Sequence, residues 1–125
     1  EGIWVEYWDN GQLRTKGNFK EGKREGDWFY YYNNGQSSMK GNYKNGEKEG
    51  IWIQHHENGQ LQVKNNWMNG RPEGDWVHYM KNGELYSKGY YKNGEKEGVW
   101  VTYNPDRSLL SALSGTYKNG EKISD

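Results

Sequence analysis

Apolar positions cluster in short runs of β-branched and aromatic residues, beginning with Ile3-Trp4-Val5 and Tyr7-Trp8, that are broken by polar stretches containing glycine, and similar runs follow. Such runs, in a chain with alanine only at Ala112, predict strands and no helix. The runs are punctuated by two series of turns. The first reads Asn10-Gly11, Asn34-Gly35, Asn58-Gly59 and Asn82-Gly83, and the second reads Glu21-Gly22, Asn45-Gly46, Asn69-Gly70, Asn93-Gly94 and Asn119-Gly120. Asn-Gly between such runs is a strong hairpin signal, because both residues tolerate the positive φ of a type I′ turn. The intervening segments are about six to nine residues, an ordinary strand length.

The punctuation is itself periodic. Glycine followed two residues later by tryptophan returns every 24 residues, at Gly2/Trp4, Gly26/Trp28, Gly50/Trp52, Gly74/Trp76 and Gly98/Trp100. A fixed period of this length marks a repeat architecture. The reading is all-β: a single elongated, twisted antiparallel meander of about ten strands, built from five tandem β-hairpin repeats at residues 1–24, 25–48, 49–72, 73–96 and 97–122 in one domain, 1–125.

A register follows. A two-residue turn at Asn10-Gly11 sets Trp4 opposite Gly17 and Gly2 opposite Phe19. A four-residue loop from Glu21 to Arg24 makes Lys20 face Glu25, Phe19 face Gly26, and Trp28 approach Gly17 from the other side. Rings then lie over residues that have no side chain, a known way to stabilise glycine within a strand. Trp4, Glu6, Trp8, Leu13, Thr15 and Phe19 share a tryptophan face, which is expected to form a thin core on the curled side of the sheet. Ile3, Val5, Tyr7, Arg14, Lys16 and Asn18 share the other.

Two repeats depart from this pattern. Asn65 stands where a ring-covered glycine is expected, and His55 replaces a tyrosine. In the fifth repeat the first turn becomes Pro105-Asp106-Arg107-Ser108, and Leu109, Leu110, Ala112 and Leu113 make an aliphatic strand. This repeat reads as a C-terminal cap or a homodimer edge.

Composition supports a folded sheet and narrows the function. Only 31% of residues are hydrophobic, yet the chain has seven Trp and eleven Tyr among 125 residues, so apolar mass is supplied by rings and not by a thick aliphatic core. Seventeen basic residues balance seventeen acidic ones, which gives no field favouring nucleic acid or an anionic membrane. Cysteine is absent, and no run approaches the roughly 20 apolar residues of a membrane-spanning helix. Residue 1 already stands in phase with the repeat, so further sequence is expected upstream.

The pattern Gly-x-Trp-x-x-Tyr, x-Asn-Gly-x-Leu, Lys-Gly-x-Tyr-Lys-Asn-Gly-x-x-x-Gly, as it stands from Gly74 to Gly98, resembles the bacterial variant of the membrane-occupation-and-recognition-nexus (MORN) repeat, of the YwqK-antitoxin-like kind. The resemblance covers the whole chain. It implies a single-layer twisted antiparallel sheet that serves as a protein-interaction scaffold, a lipid-head-group binder or a toxin antagonist, in an exported or cell-surface location over a cytoplasmic one. It departs from the family pattern at Asn65 and at residues 104–114.

No catalytic constellation emerges. His55 and His56 are adjacent and so point to opposite faces. His56 and His78 share the tryptophan face at about 10 Å, too far apart to share a metal. No serine lies in a Gly-x-Ser-x-Gly elbow, and Glu25, Glu49, Glu73 and Glu97 recur at loop ends as turn residues. Neither a cofactor nor a metal is expected. The positions that vary over a constant frame are Glu6, Tyr30, Gln54, His78 and Thr102, and Trp8, Tyr32, His56, Met80 and Asn104. From these, Trp8, Tyr30, Tyr32, His56, His78 and Met80 form the candidate binding surface, with a protein as the expected partner. The alternative is a glycan stacked on exposed rings about 10 Å apart, one per repeat.

Overall fold

The computed structural model describes residues 1–125 as one open sheet of eleven antiparallel strands in the order β1 to β11, with no helix. The strands are β1 (Gly2–Tyr7), β2 (Leu13–Lys20), β3 (Lys23–Tyr31), β4 (Ser37–Lys44), β5 (Glu47–His55), β6 (Leu61–Met68), β7 (Arg71–Tyr79), β8 (Leu85–Lys92), β9 (Glu95–Thr102), β10 (Gly115–Lys118) and β11 (Glu121–Ser124). The meander is as expected, with one strand more than two per repeat because residues after Asn119-Gly120 turn back onto β10.

Both turn series depart from the geometries assigned to them. At Asn10-Gly11 only Gly11 has positive φ (85°). Trp8 N donates to Gln12 O at 2.8 Å and Gly11 N to Trp8 O at 2.9 Å, which closes a three-residue loop with a glycine bulge and not a type I′ turn. Arg14 bulges from β2, so Tyr7 faces Leu13. Asparagine serves here through its side chain: Asn10 Oδ1 accepts from Gln12 N at 2.9 Å. The true two-residue turns are the second series, where Glu21 and Gly22 have φ of 52° and 77° and Lys20 faces Lys23. The expected four-residue loop and the Lys20/Glu25 pair are therefore corrected. Phe19 faces Arg24, not Gly26. A bulge restores the register, since Gly26, Asp27 and Trp28 together span Gly17 between the Asn18/Glu25 and Lys16/Phe29 pairs.

That bulge lays the ring on the glycine. A Cβ added to Gly17, Gly41 or Gly89 would fall within the indole of Trp28, Trp52 or Trp100 respectively. These three tryptophans are 1%, 3% and 2% exposed, and each indole Nε1 donates to a strand carbonyl: Asn18 O at 3.2 Å, Asn42 O at 3.1 Å and Tyr90 O at 3.0 Å. Neighbouring rings meet edge to face, as in Phe19 against Trp28 at 5.2 Å and Tyr43 against Trp52 at 5.0 Å. Trp4 on β1 is paired with Gly17 as expected but remains 47% exposed.

No second layer covers these rings. Each strand packs substantially only on its sheet neighbours, and the accessible surface of 8006 Å² exceeds the roughly 6,900 Å² of a compact monomer of this size. Cations form the lid instead. Arg24 lies 5.2 Å from the Trp28 ring and 5.5 Å from Tyr43, Lys48 lies 4.7 Å from Trp52 and 4.6 Å from Trp67, and Lys96 lies 4.7 Å from Trp100 and 4.9 Å from Tyr117. Each contact contributes about 0.5–2 kcal/mol, depending on its exposure. Burial pulls the Lys48 and Lys96 ammonium groups below their ordinary pKa.

In the fifth repeat the aliphatic stretch is not a strand. Leu110 to Ser114 form a turn with Ser114 N bonded to Leu110 O at 3.0 Å, and Leu109 and Leu113 are 53% and 40% exposed. The preceding turn keeps the usual geometry, with Asp106 in the role of asparagine and Arg107 in that of glycine at φ 74°.

Candidate binding face

The six candidate residues fall into two rows on the tryptophan side of the strands. Trp8, Tyr32, His56 and Met80 lie at the hairpin ends. There the first three hold the next repeat: Trp8 Nε1 donates to Tyr31 O at 3.1 Å, Tyr32 Oη to His55 O at 2.6 Å, and His56 Nε2 lies 2.9 Å from Tyr79 O. Asn10, Asn34 and Asn58 extend the same ladder by donating to Asn33, Glu57 and Lys81 carbonyls. The polar atoms of this row therefore serve the framework, and only its ring faces remain for a partner.

Tyr30 and His78 belong to the other row. Met39 is paired with both Tyr30 and Gln54, and Val63 with both Gln54 and His78. A continuous band, Tyr30–Met39–Gln54–Val63–His78, thus runs across five strands beside the tryptophans. Tyr30 stacks on Trp28 at 6.3 Å with planes inclined by 29°. Burial, then the neighbouring Tyr43 hydroxyl, holds the Tyr30 phenol well above its ordinary range. His78 meets Tyr86 edge to face at 5.2 Å. Burial, then nearby His56, depresses its pKa from the ordinary 6.5.

The centre of this band borders a cavity of about 210 Å³ lined by Lys48, Trp52, Asn65, Trp67 and Trp76, with Met39, Gln54 and Val63 on its flank. It lies where the repeat rule fails. Asn65 is paired with Trp76 and carries the Cβ that Gly17, Gly41 and Gly89 lack. Trp76 is consequently only half-buried, and its Nε1 has none of the carbonyl bonds made by Trp28, Trp52 and Trp100. Asn65 Oδ1 accepts instead from Trp67 Nε1 at 3.1 Å. Pro72 occupies the position four residues before Trp76 that Arg24, Lys48 and Lys96 hold before their own tryptophans, so this ring also lacks a cation lid. The sequence marked Asn65 as a departure. Pro72 and Lys48 carry no such mark, because the expected register sets the residue four before each tryptophan in a loop, whereas the structure sets it in the strand.

The glutamates at the loop ends act as turn residues. Glu25, Glu49 and Glu73 accept from the amides of Asn45, Asn69 and Asn93 at 2.8, 2.9 and 2.6 Å. No helix is long and apolar enough to cross a membrane.

No curated protein matches the chain. Residues 1–21, 24–45, 48–69 and 72–93 each match the MORN repeat variant, and each matched stretch contains one hairpin from its Trp-bearing strand to the second turn. These four matches span more than half of the chain, which therefore belongs to the MORN repeat variant family, whose repeats are generally non-enzymatic binding modules.

Proposed function

We propose that this protein is a scaffold that binds a protein partner across the tryptophan face, along the band from Tyr30 to His78. The observation that supports this is a constant frame carrying a variable row. Glycine, tryptophan and turn residues repeat, while Glu6, Tyr30, Gln54, His78 and Thr102 differ at one equivalent site. Aromatic and methionine side chains at Tyr30, Met39, Trp67 and Trp76 suit the centre of a protein interface, and the zero net charge offers no general attraction to anionic lipid. Trp8, Tyr32, His56 and Met80 would form the rim at one end of this surface.

The test is a set of paired variants read against partner and glycan. Tyr30→Ala with His78→Ala should weaken capture of a partner by at least about tenfold. Lys40→Ala with Lys64→Ala, on the opposite face, should leave it unchanged. Retention by peptidoglycan or another glycan, lost with the Tyr30 change and with no protein captured, would contradict this reading.

A further inference from the structure

Repeats three and four break the core rule twice in one place, and the two breaks act on the same ring. Asn65 stops Trp76 from settling onto the preceding strand, and Pro72 removes the cation that would cover it. The result is the cavity of about 210 Å³ between Trp52, Trp67 and Trp76. A cavity of about 150 Å³ lined by apolar groups holds a benzene ring, so this one has room for a single aromatic side chain. Such a ring would meet indoles on several sides, where edge-to-face and offset contacts add about 0.5–1.5 kcal/mol each.

Apart from Gln54 on its flank, the polar side chains lining this cavity have only donors left to offer. Lys48 borders it with no carboxylate in ion-pair range, since the two ion pairs of the protein are Arg107–Glu84 and Lys122–Asp125. Asn65 has its oxygen committed to Trp67 and its amide nitrogen unpaired within the protein, and Trp76 Nε1 has no acceptor. Donors around an apolar cleft call for a ligand with acceptors at the edge of a ring, and an unpaired, partly desolvated ammonium favours a carboxylate. A sugar would need acceptors for its hydroxyl protons as well, and among the lining side chains only Gln54 has a carbonyl oxygen left to offer.

We propose that the cavity formed by Lys48, Trp52, Asn65, Trp67 and Trp76 receives an aromatic side chain flanked by a carboxylate, from an acidic segment of the protein partner. The inference rests on the scaffold reading and names the anchor within it. Asn65 creates the cavity, Trp52, Trp67 and Trp76 hold the ring, and Lys48 selects the acid.

The capped tripeptide Asp-Phe-Asp serves as the probe, with Asn-Phe-Asn and Asp-Ala-Asp as controls, and the indole N–H resonances of the seven tryptophans report where it binds. Asp-Phe-Asp should shift Trp67 and Trp76 saturably, and each control should bind about tenfold more weakly. Asn65→Gly, which lets Trp76 close onto the strand, should abolish these shifts. Lys48→Met keeps the stem over Trp52 and should remove the preference for Asp over Asn while retaining that for Phe over Ala. Equal binding by wild type and Asn65→Gly, shifts centred on Trp28 or Trp100, or no saturable shift would each overturn the proposal. If the tripeptide fails while Tyr30→Ala with His78→Ala still releases a partner, the anchor is wrong and the scaffold stands. If that pair also has no effect, the scaffold reading itself falls.

Discussion

Glycine and asparagine each do two different jobs in this chain, and only position distinguishes them. Gly17, Gly41 and Gly89 have ordinary strand φ and are required because a ring occupies the space of their Cβ, whereas Gly11 and Gly35 are required for their positive φ. Asn34 contributes side-chain bonds to Gln36 N and Glu57 O, while Asn45 contributes a left-handed backbone at φ 53°. Asn34→Gly should therefore lose about 1–2 kcal/mol of stability, and Asn45→Gly should be neutral or gain up to about 1 kcal/mol; urea unfolding of both variants checks this pair. The dipeptide alone could not reveal the difference. Asn-Gly is compatible with either turn, and the choice is made by the bulged Arg14 on one side and the bulge at Gly26 on the other. His78 carries a pH signature at the same scale. Its folded pKa is depressed below 6.5, so the fold favours the neutral ring, and this contribution is complete above 6.5 and lost as pH falls through that value toward the folded pKa. The urea midpoint should decline over that interval in the wild type and decline less in His78→Gln. An unchanged slope would show that His78 is not the group responsible.

At the scale of the hairpin, each element is held to the next at both ends. One end uses Trp8, Tyr32, His56 and the first-series asparagines. The other uses Glu25, Glu49 and Glu73, each accepting from the amide of the next second-series turn, which closes its own repeat. Glu49→Ala should cost about 1 kcal/mol and speed amide exchange at Asn69 while leaving Asn45 protected; loss of protection at both would contradict independent staples. The strands, the Trp4/Gly17 pair and the glutamate role are legible in the sequence because they depend on turn positions and period alone. Residues 109–114 are not, because an apolar run of that length fits a strand or a turn equally. The turn wins because Thr102 N and O both bond to Ser114 Oγ, drawing the inserted residues out of the sheet.

The whole molecule is a one-dimensional array whose core is one ring thick. Tryptophan lies on a glycine of the preceding strand, is flanked by the aromatic residues of both neighbours, and is covered by a cation four residues earlier in its own strand. The glycine half of this arrangement was readable from the period; the cation half was not, because Arg24, Lys48 and Lys96 reach the ring only through the Gly26-type bulge. Interruption of both halves at Asn65 and Pro72 explains why the cavity falls between repeats three and four. Because repeats touch only their neighbours, excision of residues 25–48 should leave a cooperatively folding protein with a urea m-value lowered by about one fifth; loss of cooperative unfolding would argue for contacts beyond nearest neighbours. The ring-over-glycine core is tested most directly by urea unfolding of Gly41→Ala, followed through tryptophan emission. At an unobstructed strand position, glycine to alanine stabilises by about 0.5–1 kcal/mol. Here the added methyl must displace Trp52, so a loss of about 2–3 kcal/mol with red-shifted native emission is expected, and a neutral or stabilising result would contradict the account.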